Sequence, residues 1–126
     1  MIDHEKYRAG RYSEGGRVWP EVDCYGIVLE VRRDMGLADW PEWVSARQGD
    51  GSMVEVAGKW FPTLTPCDPE PGALIACYQG SLLRHVAVVV LDGKELEALE
   101  INPRHGVTRL PLSRLKRRFV RVEYFK

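Results

Sequence analysis

The chain has 126 residues, 44% hydrophobic and 29% charged, with 18 basic residues balancing 18 acidic ones. That length suits one domain with one core, so a single domain over residues 1–126 is expected. Neutral overall charge excludes the global pull of a nucleic-acid or membrane-surface binder, and no stretch approaches the roughly 18 apolar residues that cross a bilayer.

Three cysteines without tight spacing do not make a disulfide framework, which points to synthesis in a reducing compartment. The start, Met1-Ile2-Asp3-His4-Glu5-Lys6, is charged and lacks the apolar run of a secretory signal. The expectation is a chain with no signal peptide and no membrane insertion.

Residues 3–9 read as a short helix. Gly10, Gly15, Gly16 and Pro20 stop it, so residues 10–20 are expected as a loop leading to Asp23. Tyr12 and Trp19 in that loop are candidates to line a site, because glycine-flanked loops are where function concentrates.

From Asp23 the pattern is helical. Cys24, Ile27, Val28, Val31 and Met35 recur at spacings of three and four, with Asp23 as N-cap and Gly36 as stop. Cys24 then falls in the first turn, where unpaired backbone N–H groups and the helix dipole favour thiolate over thiol. The plain alternative is a buried core cysteine, since free cysteine is among the most buried residue types.

Residues 37–71 are the least regular third, with Pro41, Pro62, Pro66, Pro69 and Pro71 and with Gly49, Gly51 and Gly58. They read as an insertion over the core, with a helical turn within residues 44–56 and aromatic anchors at Trp40, Trp43, Trp60 and Phe61. Cys67 has no base or helix terminus nearby in sequence and reads as incidental.

Strands follow. Residues 73–78 form a short apolar run, and residues 84–91 form a second whose two faces are both apolar, which predicts a central strand covered on both sides. Asp92-Gly93 predicts a hairpin into residues 95–102, and residues 103–106 turn again before strands at 107–110 and 119–125. One helix followed by an antiparallel meander is an α+β domain.

His85 opens the central strand. A lone histidine there is ordinarily a hydrogen-bonded structural residue. A thiol in a helix's first turn and an imidazole at a strand start nonetheless supply two parts of a cysteine–histidine pair, whose base needs a third polar group to orient it. Glu100 and Asn102, on one face of the next strand by two-residue alternation, are the candidates.

These residues resemble a known family. Asp23-Cys24-x-Gly26 opening a helix, Tyr12-x-x-Gly15-Gly16 before it, and Pro71-Gly72-Ala73-Leu74, Arg84-His85-Val86-Ala87-Val88 and Gly106-Val107 after it are similar, in order, to the NlpC-type cell-wall cysteine peptidases. The run from Asp23 to Leu37 looks most like the branch found in phage tail tips and tail-assembly modules. The resemblance implies a papain-like fold, with Cys24 as nucleophile, His85 as general base and Tyr12 near the active site. It also implies hydrolysis of peptide bonds in the peptidoglycan stem, commonly between D-glutamate and a diamino acid. It calls for no metal and no cofactor.

Three positions depart from the family pattern. Tyr25 stands where a small residue is usual and, with Tyr12, is a candidate substrate-binding residue. Ala73 replaces an acidic residue commonly seen after the Pro-Gly. The third catalytic position is not the usual histidine, and Leu99-Glu100-Ile101-Asn102-Pro103 fits best with Glu100 in the role, His105 being the other possible partner. The cysteines and histidines do not fall in zinc-like spacing.

The last stretch is basic, with Arg104, Arg109, Arg114, Lys116, Arg117, Arg118, Arg121 and Lys126 accompanied only by Glu123. Such a run holds an anionic polymer or acidic partner, or serves as a solvated face. It lacks the aromatic interleaving of a nucleic-acid surface. Two functions are therefore expected from the resemblance. One is a peptidoglycan endopeptidase carried in a phage virion at the tail tip, made in the bacterial cytoplasm and partnered by peptidoglycan peptides and other tail proteins. The other is a structural tail-assembly protein on the same fold with weak or lost catalysis.

Overall fold

The computed structural model describes residues 2–44, 46–47 and 50–126. A short helix α1 (His4–Tyr7), capped by Asp3, leads into three two-residue strands, β1 (Arg11–Tyr12), β2 (Arg17–Val18) and β3 (Glu21–Val22). Residues 10–20 are thus more ordered than the expected loop. β3 pairs parallel with β1 and antiparallel with β2, folding this segment back on itself.

Helix α2 (Cys24–Asp34) starts and stops where its sequence dictates. The Asp23 carboxylate accepts from the Gly26 N–H, which satisfies one of the orphan donors of the first turn. Gly36, at φ +73°, takes the left-handed conformation that ends the helix.

The irregular third holds helix α3 (Ser52–Trp60) and a 3₁₀ turn (Phe61–Thr63). The helical turn expected within residues 44–56 falls partly on Ser45, Gln48 and Gly49, which lie outside the described residues. Trp60 anchors the insertion by edge contacts with Tyr25 at 5.7 Å and Trp40 at 5.1 Å.

The sheet comprises β4 (Leu74–Gln79), β5 (Leu82–Asp92), β6 (Glu95–Asn102), β7 (Gly106–Pro111) and β8 (Arg121–Phe125), with helix α4 (Leu112–Arg117) before the last strand. Its spatial order is β7-β6-β5-β4-β8, every pair antiparallel. The expected meander holds through β7. The final strand does not extend it: β8 crosses to the far edge and pairs with β4, and α4, absent from the sequence expectation, supplies the crossover.

That crossover explains the double coverage of β5. Val86, Val88 and Val90 pack in the core built around Ile27, Val28 and Val31 of α2, while Ala87 and Val89 pack with Ile75, Ala98 and Leu115 of α4 on the other face. The valine, leucine and isoleucine side chains among these each contribute about 1.5–3 kcal/mol on full burial, so the two layers together hold the central strand in place. The architecture is α+β, with the cysteine-bearing helix packed on an antiparallel sheet. Among the described residues, no helix is long and apolar enough to cross a membrane.

Candidate functional site

The site forms where the sheet opens. β5 and β6 are laddered from the hairpin back to Val88 and Leu99, and no further pair joins them among the described residues. On the other side of β5 the register with β4 shifts between Cys77 and Tyr78. His85 and Glu100 lie beyond the last ladder pair, where parted strands leave room for side chains between them.

Into that opening the sequence places three groups expected to work together. His85 Nε2 lies 2.8 Å from Glu100 Oε1, with the two side chains 4% and 1% exposed. The same imidazole interacts electrostatically with Cys24, itself 1% exposed at the start of α2.

Electrostatics follow from this geometry. Burial opposes charging the imidazole, but the bond to Glu100 and the proximity of Cys24 outweigh it and raise the His85 pKa from 6.5 to about 9. Burial likewise opposes ionising Glu100, yet His85 and Arg118 together bring its pKa down from 4.5 to about 2. The buried carboxylate is therefore charged at neutral pH, and a charged acceptor holds an imidazole more firmly than a neutral one.

Of the alternative orienting groups, neither takes that place. The Asn102 side chain accepts the backbone N–H groups of Arg104 and His105, which makes it a turn former. His105 sits in that turn and is solvent-facing.

Tyr12 lies near the thiol. Burial first, and then the negative charge at Cys24 and Asp23, push its phenol up to about 12. Tyr25 is 5% exposed, and its hydroxyl donates to the Pro41 carbonyl at 2.7 Å, pinning the insertion against α2. One side of its ring lines an apolar cavity of about 30 Å³ beside Cys24, shared with Trp43, Met53, Trp60 and Leu83. A roomier cleft of about 300 Å³ lies on the His85 side, bordered by Val54, Arg84, Asn102, Arg118 and Phe119.

Four contributors, Arg17, Phe119, Arg118 and Thr108, were not read from the sequence as site residues. Arg17 is buried and bonds to Asp23 at 2.6 Å, and its other N–H groups reach the carbonyls of Gly16, Trp43 and Ala46. Asp23 thereby caps α2, holds the Gly15 N–H at 3.0 Å and anchors Arg17 at once. Phe119 stacks on His85 with ring centroids 6.1 Å apart and planes at 14°. Arg118 reaches Glu100 Oε2 at 2.6 Å, and Thr108 donates to the same oxygen at 3.1 Å. No spacing rule connects an arginine in a basic run to a glutamate two elements earlier.

The basic stretch is also less free than its composition implies. Arg118 pairs with Glu100, Arg109 with Glu97 and Asp92, and Lys126 with Glu70, while Arg121 lies over the Tyr78 ring at 4.1 Å. Of the other cysteines, Cys77 is buried and Cys67 partly so, and burial pushes both thiols up. Among the described residues, no three histidine, cysteine, aspartate or glutamate side chains gather closely enough to hold a metal ion.

The arrangement unites a thiol at a helix N-terminus, a buried imidazole and a charged carboxylate bonded to the ring. No family model and no curated protein matches the sequence.

Proposed function

We propose that the chain is a papain-like cysteine peptidase that hydrolyses peptide bonds in the peptidoglycan stem as a phage tail component. The observation that carries this reading is the position of His85, bonded to the buried Glu100 at 2.8 Å and interacting electrostatically with Cys24 at the start of α2. The cell-wall substrate and the virion setting rest on the motif resemblance.

In this reading the Cys24 thiolate attacks the scissile carbonyl carbon and forms the C–S bond while the carbonyl π electrons move to oxygen. Backbone N–H groups at the start of α2 stabilise that oxyanion. Collapse breaks the C–N bond, and the His85 imidazolium gives its proton to the leaving amine. Water, deprotonated by His85, then attacks the thioester and releases the carboxylic acid and the thiolate. Glu100 stays ionised throughout and keeps the ring in one orientation.

The test is a zymogram on purified peptidoglycan with wild type and Cys24→Ala. Clearing by wild type that is abolished in the variant supports the peptidase. Absence of clearing by wild type with an intact, His85-dependent reactive Cys24 redirects the search to other amide or ester substrates, and an unreactive Cys24 overturns the enzyme.

One observation favours a second reading, in which the fold serves tail assembly with catalysis weak or lost. Cys24 and His85 are 1% and 3% exposed, under an insertion tied down by Arg17 and Tyr25. It predicts that particles carrying Cys24→Ala assemble and infect normally.

A further inference from the structure

We infer that Arg118 is a positioning residue of this site: it balances the buried Glu100 carboxylate and fixes which of its oxygens faces His85. The inference rests on the peptidase reading and adds a fourth member to its machinery.

Charge counting gives the need. With the thiolate and imidazolium formed, Cys24 and His85 cancel, and Glu100 leaves one unbalanced negative charge at 1% exposure. An uncompensated charge at such depth is costly, and the Arg118 guanidinium at 2.6 Å from Oε2 removes the imbalance. Arg118 and Thr108 both occupy Oε2, so Oε1 is the oxygen left for His85.

The backbone is built to deliver this side chain. Arg118 is the C-cap of α4, with its N–H on the Leu115 carbonyl at 3.0 Å, and its own carbonyl accepts from the Gln79 side chain at 2.9 Å. Two residues on, the Val120 N–H bonds to the Tyr78 carbonyl at 2.9 Å. The guanidinium also lies 5.4 Å over the ring of Phe119, whose face stacks on His85. Arg118 thus touches the imidazole's environment by two routes, one through the carboxylate and one through the aromatic cover.

Other ionisable groups around Glu100 do not duplicate the contact. His85 faces it from β5 and the Cys77 thiol lies near it from β4, while Arg109 of β7, Arg114 of α4 and His105 of the intervening turn border the same depression. The Glu100 carboxylate instead bonds to His85, Thr108 and Arg118.

Removing one positive charge raises the pH at which each of its neighbours loses a proton. The acid limb of Cys24 reactivity therefore moves to higher pH when Arg118 is neutralised. The experiment follows iodoacetamide alkylation of Cys24 against pH, by mass spectrometry, in wild type, Arg118→Gln, Arg118→Lys and His85→Ala, with near-UV circular dichroism to verify folding. Expected is an upward shift of the acid limb by about one pH unit in Arg118→Gln, recovered largely in Arg118→Lys. A profile for folded Arg118→Gln that matches wild type overturns the positioning role while leaving the peptidase reading intact, provided that His85→Ala slows alkylation. Equal loss in Arg118→Gln and Arg118→Lys overturns the charge-balance argument. Wild-type Cys24 indifferent to His85→Ala overturns both.

Discussion

Arg17 and Asp23 form an ion pair at 2.6 Å with side chains only 4% and 2% exposed, and it joins two parts of the molecule that are distant in sequence. Asp23 caps the helix that begins with Cys24, and Arg17 carries the carbonyls of Trp43 and Ala46 from the insertion. The thiol's cap and the thiol's cover therefore share one guanidinium.

Breaking that pair from the arginine side leaves a buried carboxylate unpaired and releases the insertion. Arg17→Met is expected to lower stability by about 3–5 kcal/mol, read from urea denaturation. In the fraction that remains folded, Cys24 is expected to alkylate faster because Trp43 and Ala46 no longer shield it. A variant with unchanged denaturation midpoint and unchanged alkylation shows that the cover is held by other contacts.

Gly26 is required by close approach. A Cβ there would sit 2.4 Å from the Gly16 carbonyl oxygen and 2.8 Å from Val22 Cβ, so either backbone moves or α2 shifts. Gly26→Ala is expected to cost about 1–3 kcal/mol or more and to displace Cys24 with its helix, measured as a lowered Tm and slowed alkylation together. Wild-type values for both count against a fixed loop–helix contact.

Stability is expected to depend on pH through His85 and Glu100, with opposite signs. The His85 pKa rises from 6.5 to about 9 on folding, so its contribution is complete below 6.5 and is lost as pH climbs through 9. The Glu100 pKa falls from 4.5 to about 2, so its contribution is complete above 4.5 and is lost as pH falls toward 2. Urea midpoints across this range check both limbs. Cys24→Ala removes one of the interactions that raise the His85 pKa, and the decline between 6.5 and 9 should flatten in that variant.

Glu100→Gln keeps the size of the side chain and removes the charge that orients the imidazole. Turnover, or Cys24 alkylation where no substrate is at hand, is expected to fall about 100-fold. His105→Ala, in the exposed turn, should leave the rate near that of wild type. The reverse ranking would move the third role to the turn.

Much of this site was legible because its parts obey local rules. Asp23, Cys24 and Gly26 announce a capped helix start, and Glu100 follows from strand alternation and the hairpin at Asp92-Gly93. The strand boundaries on either side of that hairpin were legible for the same reason. What escaped depends on the path of the chain after β7. Leu112 to Arg117 looked like a link between strands, and only its burial of Leu115 against Ala98 and Ile75 makes it a helix. With that crossover unseen, the return of β8 to β4 and the meeting of Arg118 with Glu100 were unseen too. Arg17 was hidden differently, because an arginine beside two glycines reads as a solvent-facing loop residue until its carbonyl partners are in place.

The crossover also sets an order of events during synthesis. Cys24 leaves the ribosome early, His85 and Glu100 later, and Arg118 last, just ahead of the strand that closes the far edge of the sheet. A chain halted before Arg118 carries the thiol, the imidazole and the carboxylate without the guanidinium that balances them. Assembly of the finished charge set is thereby tied to completion of the sheet, and the unfinished product is left without it.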